Sequence, residues 1–85
     1  SDERHVMNTR LDLRGRTAEE AVFMVEKMVS DAVVSGTHDL TIVHGKGTGK
    51  LRKVIQNYLK DNSFIENYRN GAPNEGGTGV TIIKL

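Results

Sequence analysis

The succession of strand, helix and strand between Leu11 and Val43 is the feature that most constrains this chain. Apolar and charged residues alternate at Leu11-Asp12-Leu13-Arg14, which predicts a half-buried strand with both leucines inward. β-branched residues predominate at Leu40-Thr41-Ile42-Val43, which predicts a second strand. Two strands joined through one helix form a right-handed parallel crossover, so an α/β fold is expected.

The intervening helix has a defined start, apolar face and end. Thr17 and Glu20 have the spacing of a capping box, and Gly36 is a suitable C-terminal stop. Apolar residues recur at steps of three and four along one stripe, formed by Ala18, Ala21, Val22, Val25, Met28, Val29, Ala32 and Val33. Phe23 and Val34 lie off this stripe, and they are interpreted as scattered surface residues or as contacts for a partner.

The second half of the chain adds a helix and two strands. An amphipathic helix follows the glycine-rich segment 44–49 and ends near 61–62; its stripe is Leu51, Val54, Ile55, Tyr58 and Leu59. Phe64–Arg69 predicts a weaker third strand, and Val80–Ile83 a last strand after a glycine-rich loop. The predicted fold is a two-layer β-α-β-α-β-β sandwich with a mixed four-stranded sheet, both helices on one face and the last strand antiparallel.

Length and composition fit one small domain. The chain has 85 residues and no cysteine, which excludes disulfides, thiolate metal sites and cysteine redox chemistry. No apolar run approaches the roughly 18 residues of a membrane span, and the N-terminus lacks the order of a secretory signal. We therefore expect a cytoplasmic protein with no membrane partner. Residues 1–9 are predicted to be a flexible tail or the end of a linker, and 10–85 the domain.

Positive charge is concentrated beside the glycines. Between His44 and Lys60 the chain has five of its twelve Lys and Arg residues and none of its eleven acids. The segment 44–49 leaves a strand and enters a helix, where free amides and the helix dipole attract anions. We interpret this region as an anion-binding surface. The alternatives are that the charged residues form a solvated helix face and that the glycines form a simple tight turn between strand and helix. The candidates for phosphate binding are Arg16, Gly45, Lys46, Gly47, Thr48, Gly49, Lys50 and Lys53.

His44 is the candidate for proton transfer at this edge. The carboxyl ends of parallel strands bind ligands in open α/β sheets, and three loops are predicted to meet there: 14–16, 44–49 and 71–79. Asp12, one strand away, is a candidate to orient the imidazole. Alternatively, Asp12 pairs with Arg14 or Arg10 on the exposed sheet face without a function. A divalent metal, Mg²⁺ or Mn²⁺, on Asp12 is permitted but not required.

The aromatic residues predict a mode of nucleic-acid contact. Tyr58 and Phe64 are interpreted as structural, which leaves few rings for base stacking. Contacts to the sugar–phosphate backbone should therefore dominate, with little recognition of sequence. The glycine segment lacks the spacing of a P-loop or a Rossmann motif, so nucleotide hydrolysis is not expected.

Three segments together resemble the Smr (small MutS-related) domain. They are Leu11-Asp12-Leu13-Arg14-Gly15, His44-Gly45-Lys46-Gly47-Thr48-Gly49 and residues 76–83, and the resemblance extends from about Thr9 to Leu85. It is strongest to the C-terminal Smr domain of the bacterial MutS paralogue that suppresses recombination, because Arg14 stands where many stand-alone Smr proteins have histidine. The resemblance implies the two-layer fold, nucleic-acid binding and, in several members, an endonuclease that nicks DNA or cuts RNA.

The resemblance also implies roles for individual residues. The motif positions fall on Asp12, Arg14 and His44 as the catalytic candidates and on Gly45, Gly47 and Gly49. We expect Arg14, Lys46 and the loop amides to hold the scissile phosphate, His44 to transfer a proton, and Asp12 to orient His44 or a metal-bound water. Arg14 cannot exchange protons as a histidine would, which weakens any mechanism that needs two histidines.

The resemblance implies that this domain is the C-terminal module of a larger MutS-like ATPase that acts in DNA repair and recombination suppression. It also implies that the protein is associated with the nucleoid in the bacterial cytoplasm. The implied partners are DNA, RNA or the ribosome, and the remainder of that larger chain. One alternative is a non-catalytic module that docks a larger protein on branched DNA, RNA or ribosomes. A second alternative is a protein-interaction domain that uses Phe23 and Val34.

Overall fold

A computed structural model describes residues 7–85, which form one four-stranded sheet and two α-helices. The elements in chain order are β1 (Arg10–Asp12), α1 (Ala18–Ser35), β2 (Asp39–Val43), α2 (Lys50–Lys60), β3 (Asn67–Asn70) and β4 (Val80–Lys84), with two short 3-10 turns, Pro73–Glu75 and Gly77–Gly79, before β4. No helix within these residues is long and apolar enough to cross a membrane.

The sheet has the strand order β1-β2-β4-β3. β1 and β2 are parallel, and β4 is antiparallel to both of its neighbours. The predicted mixed sheet with an antiparallel last strand is therefore confirmed. Because β4 returns between β2 and β3, it is a central strand, and its residues Thr81 and Ile83 are fully buried.

Both helices cover the same face of the sheet, as predicted. Residues of α1 and α2 pack with Leu13, Leu40, Ile42 and Ile83 into one core cluster; the helical members are Ala21, Val25, Met28, Val29, Ala32, Ile55 and Leu59. Neither of the two α-helices found in residues 7–85 covers the other face of the sheet. This arrangement makes the direction of a side chain on any strand, toward the helices or toward the open face, decisive for what it can contact.

Helix α1 begins and ends where the sequence predicts. The Glu20 amide donates to Thr17 Oγ1 at 3.1 Å, and the Thr17 amide donates to Glu20 Oε1 at 2.9 Å, which completes the capping box. Gly36 ends the helix in the left-handed region, with φ of +73°. Phe23 and Val34 are exposed, but Val33, which the stripe predicted to be inward, is also 42% exposed.

The predicted third strand starts too early. After α2, the Phe64 amide donates to Asn62 Oδ1 at 2.8 Å and the Ile65 amide donates to the Asn62 carbonyl at 3.1 Å. Phe64 and Ile65, which were predicted to begin the strand, therefore belong to a turn that is held by Asn62. β3 begins at Asn67. Phe64 is 62% exposed, and its interpretation as a structural residue is wrong.

Residues 7–9 contact the domain that was predicted to begin at residue 10. The Thr41 amide donates to the Thr9 carbonyl at 2.8 Å, next to the β1–β2 pairing. The Met7 side chain packs against the core. The rest of the predicted tail, residues 1–6, lies outside the described residues.

Candidate functional site

The three predicted loops meet at the carboxyl ends of β1 and β2. The amides of His44 and Gly45 both donate to the Gly79 carbonyl at 3.0 Å, which joins two of the loops. A Cβ atom at Gly79 would lie only 3.2 Å from Lys46 Cγ, and one at Gly45 would lie 3.2 Å from Arg14 Cγ. Glycine at these two positions therefore allows the three segments to pack closely at this edge.

The glycine loop, residues 45–49, presents free backbone amides. Gly45 and Gly49 have φ of +80° and +83°, which side-chain-bearing residues rarely adopt. Within residues 7–85, the amides of Lys46, Gly47 and Thr48 donate to no protein acceptor. Residues 44–51 line a concavity of about 170 Å³ here. Successive free amides in a turn that alternates hand are a recurring way to bind an anion.

Four cations surround this loop, and we call them the cationic rim: Lys46, Lys50, Arg52 and Lys53. None of them pairs with a carboxylate of the described residues, whereas Arg14, Lys27, Arg69 and Lys84 all do. Three of the four lie in the first turn of α2, which contains no acid. Cations at the positive end of a helix dipole are unfavourable unless an anion binds beside them.

Arg16, also predicted to bind phosphate, lies at the start of α1. The Thr17 amide is the main cause that lowers the pKa of Glu20, and the charge of Arg16 lowers it further. Arg16 is exposed. Arg16 is thus close to the carboxylate that caps α1.

Asp12 and Arg14 form an exposed, two-pronged ion pair. Arg14 Nε donates to Asp12 Oδ1 at 3.0 Å and Nη2 donates to Oδ2 at 2.7 Å, and the Arg14 amide donates to Oδ1 at 3.0 Å. The hydrogen bonds from the Arg14 side chain and amide lower the pKa of Asp12 to about 2. Asp12 is therefore ionised at neutral pH, and the two side chains remain 51% and 65% exposed.

His44 has a different environment. It is 5% exposed, and both ring nitrogens have partners: Nδ1 lies 3.0 Å from the Gly45 carbonyl and Nε2 lies 2.8 Å from Thr81 Oγ1. Burial is the main cause that lowers the pKa of His44 below its ordinary value, and the charge of Arg52 lowers it further. The imidazole is therefore held mainly in its neutral form at neutral pH.

The interpretation of Asp12 as the residue that orients His44 is wrong. Asp12 is opposite Val43 in the register of β1 and β2, so it shares the open face with Val43. His44 follows Ile42 by two residues and therefore points to the helical face, where it reaches Thr81. Among residues 7–85, Asp12 makes its side-chain hydrogen bonds with Arg14.

A metal ion would find few protein ligands here. Within residues 7–85, no three His, Asp or Glu side chains gather in a way that could hold one. A divalent ion at Asp12 would need water and a bound phosphate to complete its shell. Asp12 is ionised and exposed, which suits one ligand of such a shell.

Sequence reasoning missed the residues behind His44. Thr81 is fully buried, and its hydroxyl also accepts from Gln56 Nε2 at 3.0 Å; Gln56 Nε2 in turn donates to Asn70 Oδ1 at 3.0 Å. A threonine is ordinary in a β-strand, and a glutamine is ordinary on the polar side of a helix. Neither position carries a signal in the sequence by itself.

Comparison with known proteins shows which family the sequence resembles. The family model of the Smr domain matches residues 11–85. A curated relative from Clostridium botulinum, named Endonuclease MutS2, is 49% identical over 79 residues, which cover 93% of this chain and 10% of that protein. This chain thus spans about a tenth of the length of the curated relatives it matches.

Two solved structures share the fold. The Smr domain of Thermus thermophilus MutS2 superposes with a TM-score of 0.89 at 38% identity, covering 92% of this chain and 98% of that chain. YdaL, a stand-alone small MutS-related protein from Escherichia coli, superposes with a TM-score of 0.86 at 24% identity, covering 98% of this chain and 68% of that chain. At that identity, the second likeness concerns the fold alone.

Proposed function

Because the chain belongs to the Smr domain family, we propose that its glycine loop and cationic rim bind the phosphodiester backbone of a nucleic acid. The observation that carries this proposal is a run of three amides, at Lys46, Gly47 and Thr48, that donate to no acceptor within residues 7–85, beside cations that pair with no carboxylate of those residues. A phosphate would accept from the amides and neutralise the rim, including the cations at the start of α2.

The proposed contacts are to phosphate rather than to bases. Tyr58 and Tyr68 are half-buried and pack against the core, so their rings are only partly available for stacking. The exposed rings are Phe23 on α1 and Phe64 after α2, and neither lines the concavity of the glycine loop. Binding should therefore depend little on base sequence.

Paired lysine variants test this proposal. Replacing Lys46 and Lys50 by alanine removes two rim charges, and we expect the dissociation constant for duplex DNA to rise about tenfold or more, with the salt slope reduced by about 2. The matched control is Lys27→Ala with Lys84→Ala, which removes two lysines that pair with Asp31 and Asp39. Equal loss of affinity in the two double variants would contradict a localised site. RNA in place of DNA in the same titration identifies the preferred nucleic acid.

Endonuclease activity is a second candidate function, in which the domain serves as the nicking module of a larger MutS-like DNA repair protein. It is supported by the name of the relatives and by the Arg14 side chain, which packs beside Gly45, the first residue of the glycine loop. Arg14 would stabilise the charge that develops on the phosphate, and ionised Asp12 would hold a metal-bound or free water. Proton transfer by His44 would require one ring nitrogen to leave its present partner.

A nicking assay separates cleavage from binding alone. We expect Asp12→Asn to reduce the nicking of supercoiled plasmid by at least about tenfold while DNA affinity is retained, because the substitution removes a negative charge and no cation. Chelator is added in a parallel reaction to test for a metal requirement. If purified wild-type protein and Asp12→Asn nick at the same background rate, the domain is a non-catalytic binding module.

A further inference from the structure

A chain of hydrogen bonds connects the polar edge of the sheet with the back of the glycine loop. It runs through four side chains that come from β3, α2, β4 and the end of β2: Asn70, Gln56, Thr81 and His44. Thr81 is fully buried and His44 nearly so. Polar groups in such positions are costly unless each hydrogen bond is made, so the direction of every bond in the chain matters.

The directions follow from the chemistry of the partners. The Gly45 carbonyl can only accept, so the proton of a neutral His44 lies on Nδ1, and Nε2 is the acceptor. Gln56 Nε2 donates to Asn70 Oδ1 and to Thr81 Oγ1, both at 3.0 Å. Thr81 therefore accepts from Gln56 and donates its own proton to His44 Nε2. The other neutral tautomer would set the Nδ1 lone pair against the Gly45 carbonyl oxygen.

The last bond of the chain acts on the glycine loop. The Gly45 carbonyl and the Lys46 amide belong to one trans peptide group and point in opposite directions. Holding the carbonyl against His44 Nδ1 therefore turns the Lys46 amide away from His44. That amide is the first of the three that donate to no acceptor within the described residues.

We propose that Thr81 and Gln56 are positioning residues, which hold His44 as the neutral Nδ1–H tautomer so that the Gly45–Lys46 peptide presents its amide to a bound phosphate. This inference rests on the proposed function and deepens it. It assigns His44 a role in shaping the anion site, and it gives a reason for a fully buried hydroxyl in a strand that is otherwise apolar between Val80 and Ile83.

The hydrogen-bond chain is tested first without nucleic acid. In a long-range ¹H–¹⁵N correlation spectrum at pH 7.5, we expect His44 of the wild-type protein to show the Nδ1–H pattern. Thr81→Val keeps the shape of the side chain and removes the hydroxyl, so the spectrum should show both tautomers. Thr81→Ser should restore the wild-type pattern. An Nε2–H pattern in the wild-type protein would overturn the proposal.

Affinity then tests the consequence for binding. We expect Thr81→Val to weaken binding to duplex DNA about fivefold, and Thr81→Ser to restore it, because one donor to a charged phosphate is misplaced. Thr41→Val is the matched control: it removes a hydroxyl from the neighbouring strand, on the opposite face of the sheet. Gln56→Met changes the hydrogen-bond chain at its more exposed end and should shift the tautomers of His44 in the same direction. This variant replaces Thr81→Val in the experiment if Thr81→Val folds poorly.

The outcomes distinguish this inference from the proposed function. If Thr81→Val or Gln56→Met shifts the tautomer while DNA affinity stays at the wild-type value, the positioning role is wrong although binding stands. If the wild-type protein shows the Nδ1–H tautomer but binds neither DNA nor RNA, the proposed function is wrong. The role of the hydrogen-bond chain in binding is then wrong as well. The assignment of the hydrogen bonds would survive that second outcome.

Discussion

The ends of β1 and β2 lie side by side in a parallel pair but carry opposite kinds of chemistry. At the end of β1, Asp12 and Arg14 are both ionised, paired with each other and largely exposed on the open face of the sheet. At the end of β2, His44 is buried, neutral and bonded through both nitrogens on the helical face. The two strands thus place charge in front of the glycine loop and a neutral hydrogen-bonding group behind it.

This difference shows how one edge of a sheet can separate ligand contact from support. An exposed ion pair contributes little to folding, so its charges remain available to a ligand. A buried imidazole with two partners contributes to folding and cannot be removed without leaving those partners unsatisfied. Variants at the two strand ends should therefore divide into those that change stability and those that change binding.

The largest expected effect is on stability, at the end of β2. His44→Ala removes a buried ring and leaves the Thr81 hydroxyl without one partner, so the free energy of unfolding should fall by about 2 to 4 kcal/mol. Urea denaturation measures the change. Arg14→Ala, at the end of β1, is the comparison and should leave the unfolding midpoint almost unchanged. Similar losses in the two variants would break the distinction between the strand ends.

The next effect is on binding, at the end of β1. Arg14→Ala should weaken DNA binding by about three- to tenfold and reduce the salt slope by about 1, because one phosphate contact is lost. Arg69→Ala is a matched control, since Arg69 forms a comparable two-pronged pair with Glu75 at 2.8 and 3.1 Å on β3, which lies at the opposite edge of the sheet. Equal effects of the two substitutions would mean that overall charge, and not the site, determines affinity.

The sequence was sufficient for the architecture because each signal was local. The capping box at Thr17, the stop at Gly36 and the stripe of α1 all involve residues within one helix. Strand directions followed from the alternation of strands and helices. The convergence of the loops followed in turn, since parallel strands end at the same edge.

The contacts of the site were harder to predict because they depend on register. Asp12 and His44 end neighbouring strands, but the pairing of Asp12 with Val43 puts them on opposite faces of the sheet. The alternation of Leu11 and Leu13 places Asp12 on the open face, but the run Leu40-Thr41-Ile42-Val43 has apolar residues of both parities and does not by itself determine the face of His44. Thr81 reaches His44 only because β4 inserts beside β2, a pairing between segments that are distant in the chain.

The smallest expected effect concerns the pH dependence of stability, and it isolates His44. Burial lowers its pKa from the ordinary value of 6.5, so just below pH 6.5 the unfolded chain binds a proton that the folded chain does not. The stabilisation by neutral His44 is complete above pH 6.5 and is lost as the pH falls toward the lowered pKa. Over this range the free energy of unfolding decreases by no more than about 1.4 kcal/mol per pH unit.

Urea denaturation at pH 7.5 and pH 5.5 measures this loss. The carboxylates with lowered pKa values, Asp12, Glu20 and Glu75, titrate below their ordinary values of 3.8 and 4.5, and they do not contribute in this window. Wild-type protein should therefore lose more stability between the two pH values than His44→Gln, which has no imidazole to protonate. A loss that persists in His44→Gln would assign the pH dependence to another group.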